Sequence, residues 1–346
     1  MNKDLLHEFL KNRSTSEDKS LYDEKHRKII ENVDLFGDIS KLRNWDLQND
    51  MGLKYKIGLF PKFFLGMYNL SIVSPIIKLI NKRINHYFEF SSLLDDIEII
   101  KKIDGQKFLN ENPQDQTPGA FKYPKVNGYS VSTRWLRYIY FLSQIYNYTL
   151  LSNSSTWIDV GSYYGGLQGL VKKYFPDIKI IMVDFEHQLA RSYVYLKTLF
   201  PESNHILPNQ ARNIKNFNDV QSDTIIYVDQ KDFHLVSNNK VDLFTNFFSL
   251  GEMKKNTFES YLNSSTYKNS KYVYMANRFS SSPYFDKTYD DNINIFNYRD
   301  NRKILHFDVL PINHYQISNR ELFKRSFFRN NSSPYFELIL KQNDEV

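Results

Sequence analysis

An α/β fold built on a nucleotide-binding sheet is predicted by three observations. Between Trp157 and Glu186 the chain reads strand, glycine turn, helix, strand, acidic residue, the order of an opening βαβ unit. Further short apolar runs at 224–228, 241–248 and 271–276 supply the next strands, with a helical segment between the last two. At 346 residues, 41% of them hydrophobic, the chain can bury the core that such a sheet needs.

The elements follow in order. Residues 4–11 and 20–33 place apolar side chains at helical spacing, with a polar connector at 11–20. Residues 59–80 are strongly apolar but carry Pro61, Lys62, Gly66 and Pro75. A membrane-spanning helix needs about twenty apolar residues without such breakers, so two short buried or interfacial helices are expected, with Lys78, Lys82 and Arg83 able to rest near anionic headgroups. The stretch 110–128, rich in Asn, Pro, Gly and Gln, reads as a loop leading into a substrate cleft. Residues 1–130 thus read as a mainly helical accessory region that caps the substrate, ahead of a domain at 131–346.

Residues 132–151 form an amphipathic helix capped by Ser132 or Thr133 and packed beside the first strand. That strand, 157–160, carries Asp159 and runs into Gly161-Ser162-Tyr163-Tyr164-Gly165-Gly166, where glycines let backbone approach a ligand. Leu167, Leu170, Val171 and Tyr174 then recur at helical period until Pro176. The β-branched run 178–183 reads as a parallel strand buried on both faces, delivering Asp184 and Glu186 to the carboxyl edge of the sheet. A helix at 187–200, strands at 224–228 and 241–248, a helix at 256–263 and a strand at 271–276 complete the alternation. The polar stretch 280–300, with Tyr284, Phe285 and Tyr289, has the length of a lid or binding loop, and 304–310 and 336–340 supply antiparallel final strands.

The glycine spacing bears on the ligand. A dinucleotide site wants G-x-G-x-x-G, with pyrophosphate on the helix N-terminus, and here three other residues separate Gly161 from Gly165. The string Asp159-x-Gly161-x-x-x-Gly165 instead resembles the first motif of the class I S-adenosylmethionine-dependent methyltransferases, with Tyr163 in place of that family's middle glycine. A carboxylate at the turn suits a ligand that carries an ammonium and a sulfonium. The resemblance implies a Rossmann-like class I methyltransferase sheet with helices on both faces, and S-adenosyl-L-methionine as cofactor. It places Asp159, Gly161, Ser162, Tyr163 and Gly165 at the cofactor, Asp184 on the ribose hydroxyls with Phe185 beside it, Asp229 and Gln230 at the adenine, and Asn246 near the reacting end. Tyr163 puts the tight approach of backbone to cofactor in question.

A narrower resemblance covers most of the chain. Asn246, Ser249, Glu252 and Met253, within the run Asp242 to Met253, are similar to the fourth-strand signature of sugar O-methyltransferases found among bacterial surface-polysaccharide genes. Asn112-Pro113, Pro118-Gly119 and residues 132–138 are similar to the segment that precedes the first strand in that family. It implies a sugar acceptor, nucleotide-linked, lipid-linked or polymeric. O-Methylation is an in-line displacement that needs the hydroxyl aligned and its proton removed. Glu252, just past the fourth strand, is the first candidate for the base; its other reading is a helix cap or a partner of Lys254 or Arg278. His187 and His234 are the alternatives, since imidazole titrates near neutrality. Asp229, Asp232, Asp290 and Asp291 are scattered without compact ligand spacing, so no required metal is expected.

Composition narrows the classes. The chain has no cysteine, which excludes disulfides, thiolate zinc sites, cysteine nucleophiles and iron–sulfur chemistry, and fits a reducing cytoplasm. The opening residues lack the unbroken apolar core of a signal peptide, so export is not expected, and peripheral contact with the membrane or with glycan-assembly enzymes stays open. A net charge of +6 comes from 45 basic and 39 acidic residues that are interspersed, which argues against a nucleic-acid partner. The 25 Tyr and 27 Phe suit the C–H faces of sugar rings, or reflect codon bias. An NAD-linked oxidoreductase of nucleotide sugars and a non-catalytic nucleotide-binding scaffold remain as alternative functions.

Overall fold

The computed structural model describes residues 2–13, 39–43, 73–120, 123, 125–281, 289–312 and 335–343. The helix expected at 20–33, most of the apolar stretch 59–72 and the middle of the 280–300 loop lie outside the described residues. Contacts divide the chain into two compact units: Met1–Arg43 with Gln144–Val309 and Tyr335–Val346, and Asn44–Ser143 with Leu310–Pro334. This division differs from 1–130 and 131–346, because the first helices pack on the sheet unit.

Helix α1 (Asn2–Lys11) buries Leu6 and Phe9, three positions apart on one face, and Phe9 meets the Tyr193 ring at 6.0 Å. A short α2 (Ile39–Arg43) follows. In the second unit, α3 (Val73–Lys102) is one long helix that takes in the last part of the stretch 59–80, of which 59–72 lies outside the described residues. Pro75 falls in its first turn, where a missing N–H has no intrahelical partner to lose. Among the described residues no helix is long and apolar enough to cross a membrane. After α4 (Gln106–Glu111), the expected loop contains a hairpin, β1 (Lys125–Val126) and β2 (Tyr129–Ser130), turned by Asn127 and Gly128, both at positive φ. Ser132 caps α5 (Thr133–Tyr148), accepting from the Trp135 N–H at 3.2 Å.

The sheet of the first unit has eight strands, in the order β5-β6-β4-β3-β7-β8-β10-β9. These are β3 (Thr156–Val160), β4 (Lys179–Asp184), β5 (Asn204–Ile206), β6 (Thr224–Asp229), β7 (Leu243–Phe247), β8 (Tyr272–Arg278), β9 (Lys303–Val309) and β10 (Tyr335–Lys341). Neighbours are parallel except β10, which runs against both β8 and β9. β4 and β6 are buried along their whole length, as parallel strands covered on both faces must be. Their pleat shows both layers: Ile226 and Val228 join a core with Phe258 and Tyr261, while Tyr227 between them meets the Tyr193 ring at 5.6 Å. The covering helices include α6 (Gly166–Tyr174) and α7 (Glu186–Leu199) on the Tyr227 face, and α8 (Pro208–Ala211), α9 (Lys255–Leu262) and α10 (Ser265–Lys268) on the other.

The predicted fold class is therefore observed: a Rossmann-like, mainly parallel sheet flanked by helices, with an antiparallel strand near its end. From β3 the chain steps outward to β4 and β6, then returns to β7 on the other side of β3. Strand order reverses there, and such reversals leave a crevice at the carboxyl ends of the strands.

Candidate functional site

The crevice is lined first by the turn after β3. Gly161, Tyr163 and Gly165 have φ of 86°, 56° and 87°, so three of five consecutive residues are left-handed. Gly161 is fixed twice over, since a Cβ there would also collide with Ser249 Oγ. Gly161→Ala is expected to lower stability by about 1 to 3 kcal/mol in denaturant titration, from backbone strain plus collision. Adding Ser249→Ala should relieve the clash with Oγ but leave the one with the Ser249 Cβ at 2.9 Å and the backbone strain. An unchanged midpoint in the single variant would refute the close packing of the turn on Ser249.

Two carboxyls end adjacent strands beside this turn, and a third lies one residue inside the end of β3. Asp184, at the end of β4, accepts the Tyr163 N–H at 2.8 Å on one oxygen and the Phe185 N–H at 2.7 Å on the other. Asp229 pairs in register with Asp184 at the end of β6 and accepts the Lys231 N–H at 3.1 Å. Asp159 on β3 is held by the Thr245 hydroxyl at 2.5 Å and by the Gln168 amide. Burial pushes Asp159 up to about 7, against the hydrogen bonds from Thr245 and Gln168 and with help from the charge of Asp184. Asp184 is also pushed up to about 7 by burial, although both backbone N–H groups and Arg191 oppose the shift.

A carboxyl whose folded pKa lies above its unfolded 3.8 takes up a proton on folding between the two values. Stability is lost as pH rises from about 3.8 to about 7, by at most about 1.4 kcal/mol per pH unit for each group, and the full cost persists above. The ligand-free protein is therefore expected to melt lower at pH 8 than at pH 6, and Asp184→Asn to flatten that difference. A wild-type melting temperature that rises over this interval would overturn the assignment.

Across the switch point, Asn246 builds the opposite wall. Its Nδ2 donates to Val160 O at 2.7 Å and to Ser249 Oγ at 2.5 Å, and its Oδ1 accepts the Leu250 N–H and the Asn277 amide, both at 3.0 Å. Phe248, at a φ of 69°, turns the chain back, and residues Leu250–Glu252 form a 3-10 turn in which the Glu252 N–H donates to Ser249 O at 2.9 Å. Glu252 is half-buried just past the carboxyl end of β7. At the start of α9 the Lys255 N–H donates to Asp291 Oδ1 at 3.1 Å.

The structure thus brings Asp159, Gly161, Ser162, Tyr163, Gly165, Asp184, Asn246 and Glu252 to one sheet edge, with Asp229 and half-buried Gln230 at its β6 end. Asp159 and Asn246 are buried and engaged with protein groups, so they shape the crevice more than they line it. Phe185, half-buried, stacks on His187 at 5.6 Å. His187 is 0% exposed in the first turn of α7. His234 is exposed on the 3-10 turn after β6. Asp232 is held by Arg212 in a two-point ion pair at 2.8 and 3.0 Å. Sequence reasoning passed over Gln168 and Thr245 around Asp159, Asn277 behind Asn246, and Arg191, whose guanidinium lies 4.6 Å over the Tyr163 ring.

No family model matches the chain, and no curated protein matches it. Solved structures similar to part of it include the small RNA methyltransferase HEN1, at 16% identity and a TM-score of 0.36 over 60% of this chain and 25% of that one. The mitomycin 7-O-methyltransferase MmcR has 11% identity and a TM-score of 0.34 over 61% of this chain and 57% of its own. The geranyl diphosphate C-methyltransferase of Streptomyces coelicolor A3(2), solved with S-adenosyl-L-homocysteine, has 10% identity and a TM-score of 0.36 over 59% and 75%. The chain spans a quarter of the length of the first of these and little more than half of the second.

Proposed function

We propose that this protein is an S-adenosyl-L-methionine-dependent O-methyltransferase whose acceptor is a sugar hydroxyl in bacterial surface-polysaccharide biosynthesis, on a nucleotide-linked, lipid-linked or polymeric glycan. The observation that carries the cofactor reading is the pair of carboxyls, Asp184 and Asp229, that end adjacent strands beside a left-handed glycine turn. A pyrophosphate would meet like charge there, whereas an ammonium and a sulfonium meet opposite charge. Asp184 would hold the ribose hydroxyls, since a carboxylate has about four lone-pair sites and two backbone N–H groups occupy only part of them. The bound cofactor supplies an electrophilic methyl. Glu252 takes the acceptor proton on its carboxylate, and Asn246 and Ser249 fix the turn that carries Glu252.

The sugar reading is supported by the Asn246, Ser249, Glu252 and Met253 string, whose spacing has a physical basis: Asn246 reaches Ser249 three residues on and the Leu250 N–H four residues on. A ligand at a hundredfold excess over its Kd stabilises a protein by about 2.7 kcal/mol, so a thermal-shift comparison of S-adenosylhomocysteine with NAD reads the cofactor directly. A shift with the first alone is expected, and one with NAD alone would sink the reading. Methyl label appearing in RNA but in none of a panel of sugar acceptors would sink its sugar half.

A further inference from the structure

Tyr163 occupies a position that the loop's backbone would more readily give to glycine. A bulky residue at a φ of 56° is strained, and such strain persists only where the surroundings over-determine it. The surroundings here are led by Arg191 on α7, 2% exposed. One of its nitrogens donates to Gln188 Oε1 at 2.8 Å; the other donates to the backbone carbonyl of Arg43 at 2.7 Å and to the Tyr163 hydroxyl at 3.3 Å. The same guanidinium lies over the Tyr163 ring. Arg43, the last residue of α2, in turn lays its guanidinium over the rings of Tyr164 at 5.1 Å and Tyr195 at 5.5 Å. Two further bonds hold the N-terminal segment to α7: the Tyr193 hydroxyl donates to Glu8 at 2.6 Å, and Arg13 pairs with Glu186 at 3.8 Å.

The geometry points to Arg191 as a positioning residue that latches the glycine loop to the N-terminal segment, so that Tyr163 and Asp184 stand in the cofactor-holding arrangement before any ligand arrives. The inference rests on the methyltransferase reading of the crevice. Where the family's motif has a glycine with nothing to grip, this chain has an aromatic handle, gripped by Arg191 of α7, which the Arg43 carbonyl of α2 holds in turn. The Tyr163 N–H then falls on Asp184, and the cation of Arg191 favours the ionised carboxylate that ribose hydroxyls need. The other groups that act on Asp184 are Asp229 on β6, Asp159 on β3 and Tyr261 on α9, none of them a cation.

The test compares the ligand-free wild type with Arg191→Gln, Arg191→Lys and Arg43→Ala by amide hydrogen exchange, then titrates S-adenosylhomocysteine into each across pH. In Arg191→Gln the Tyr163 and Phe185 amides are expected to exchange about tenfold faster while those of β4 and β6 hold, a local opening. Affinity should fall about tenfold, the equivalent of one charge-assisted bond, and its acid limb should move to higher pH. Arg191→Lys should restore the acid limb but not the loop protection. Arg43→Ala should loosen the loop without moving the limb. Unchanged protection in both Arg191→Gln and Arg43→Ala, or a uniform loss over the whole sheet, would overturn the latch. Failure of the wild type to bind S-adenosylhomocysteine would instead overturn the methyltransferase reading, with the exchange data on ligand-free protein still deciding the latch.

Discussion

Asp184→Ala is expected to weaken S-adenosylhomocysteine binding by about a hundredfold to ten-thousandfold. Two ribose hydroxyls on one carboxylate make two charge-assisted bonds worth roughly 1.5 to 3 kcal/mol each, and tenfold in affinity corresponds to about 1.4 kcal/mol. The side chain also accepts from Tyr163 and Phe185, so alanine leaves two backbone donors without their acceptor and part of the loss is loosening of the turn. Asp184→Asn separates the two effects. It keeps one oxygen acceptor and the shape of the side chain but loses the charge, and should fall between wild type and alanine. Calorimetry decides the matter: affinity within a factor of three of wild type in both variants would remove Asp184 from the site.

How much of this was legible in the sequence depends on what each signal measures. Strands β3, β4, β6, β7 and β8 announce themselves because a parallel strand covered on both faces has to be apolar throughout. The three-residue β5 is too short to carry a pattern, and the β1–β2 hairpin hid in a stretch read by composition, although Asn127-Gly128 is itself a hairpin signal. Pro75 does not interrupt α3, because a proline in the first turn of a helix breaks nothing. At the site, glycines and strand-end acids were readable because backbone geometry demands them locally. Their supports were not: Thr245 reaches Asp159 across 86 residues, and Arg191 reaches the Arg43 carbonyl across 148. Only the fold brings such partners together, and spacing along the chain carries no trace of them. His187 is the converse case, a titratable residue beside an acidic strand end that helical phase turns into the core.

The crevice now ranks the candidates for the base. A general base must come within hydrogen-bond reach of the hydroxyl it deprotonates, directly or through one water. Buried His187 and His234 on the turn after β6 do not stand at the reversal between β3 and β7, whereas Glu252 follows it by five residues on a turn pinned by Asn246 and by the Gly251 N–H donating to Asn277 Oδ1 at 3.4 Å. Glu252→Gln keeps the size and hydrogen-bonding capacity of the side chain while removing its basicity. Turnover should fall about a hundredfold to ten-thousandfold, the range that loss of a general base costs, with S-adenosylhomocysteine affinity held within a factor of two or three because Glu252 is not among the residues proposed to hold the cofactor. Raising the pH should recover little of the rate, since an amide has no ionised form to restore. Normal turnover in Glu252→Gln, together with an inactive but folded His234→Ala or His187→Ala, would move the base from the carboxylate to that histidine and require the acceptor to approach from the β6 end of the sheet for His234 or from the β4 end for His187.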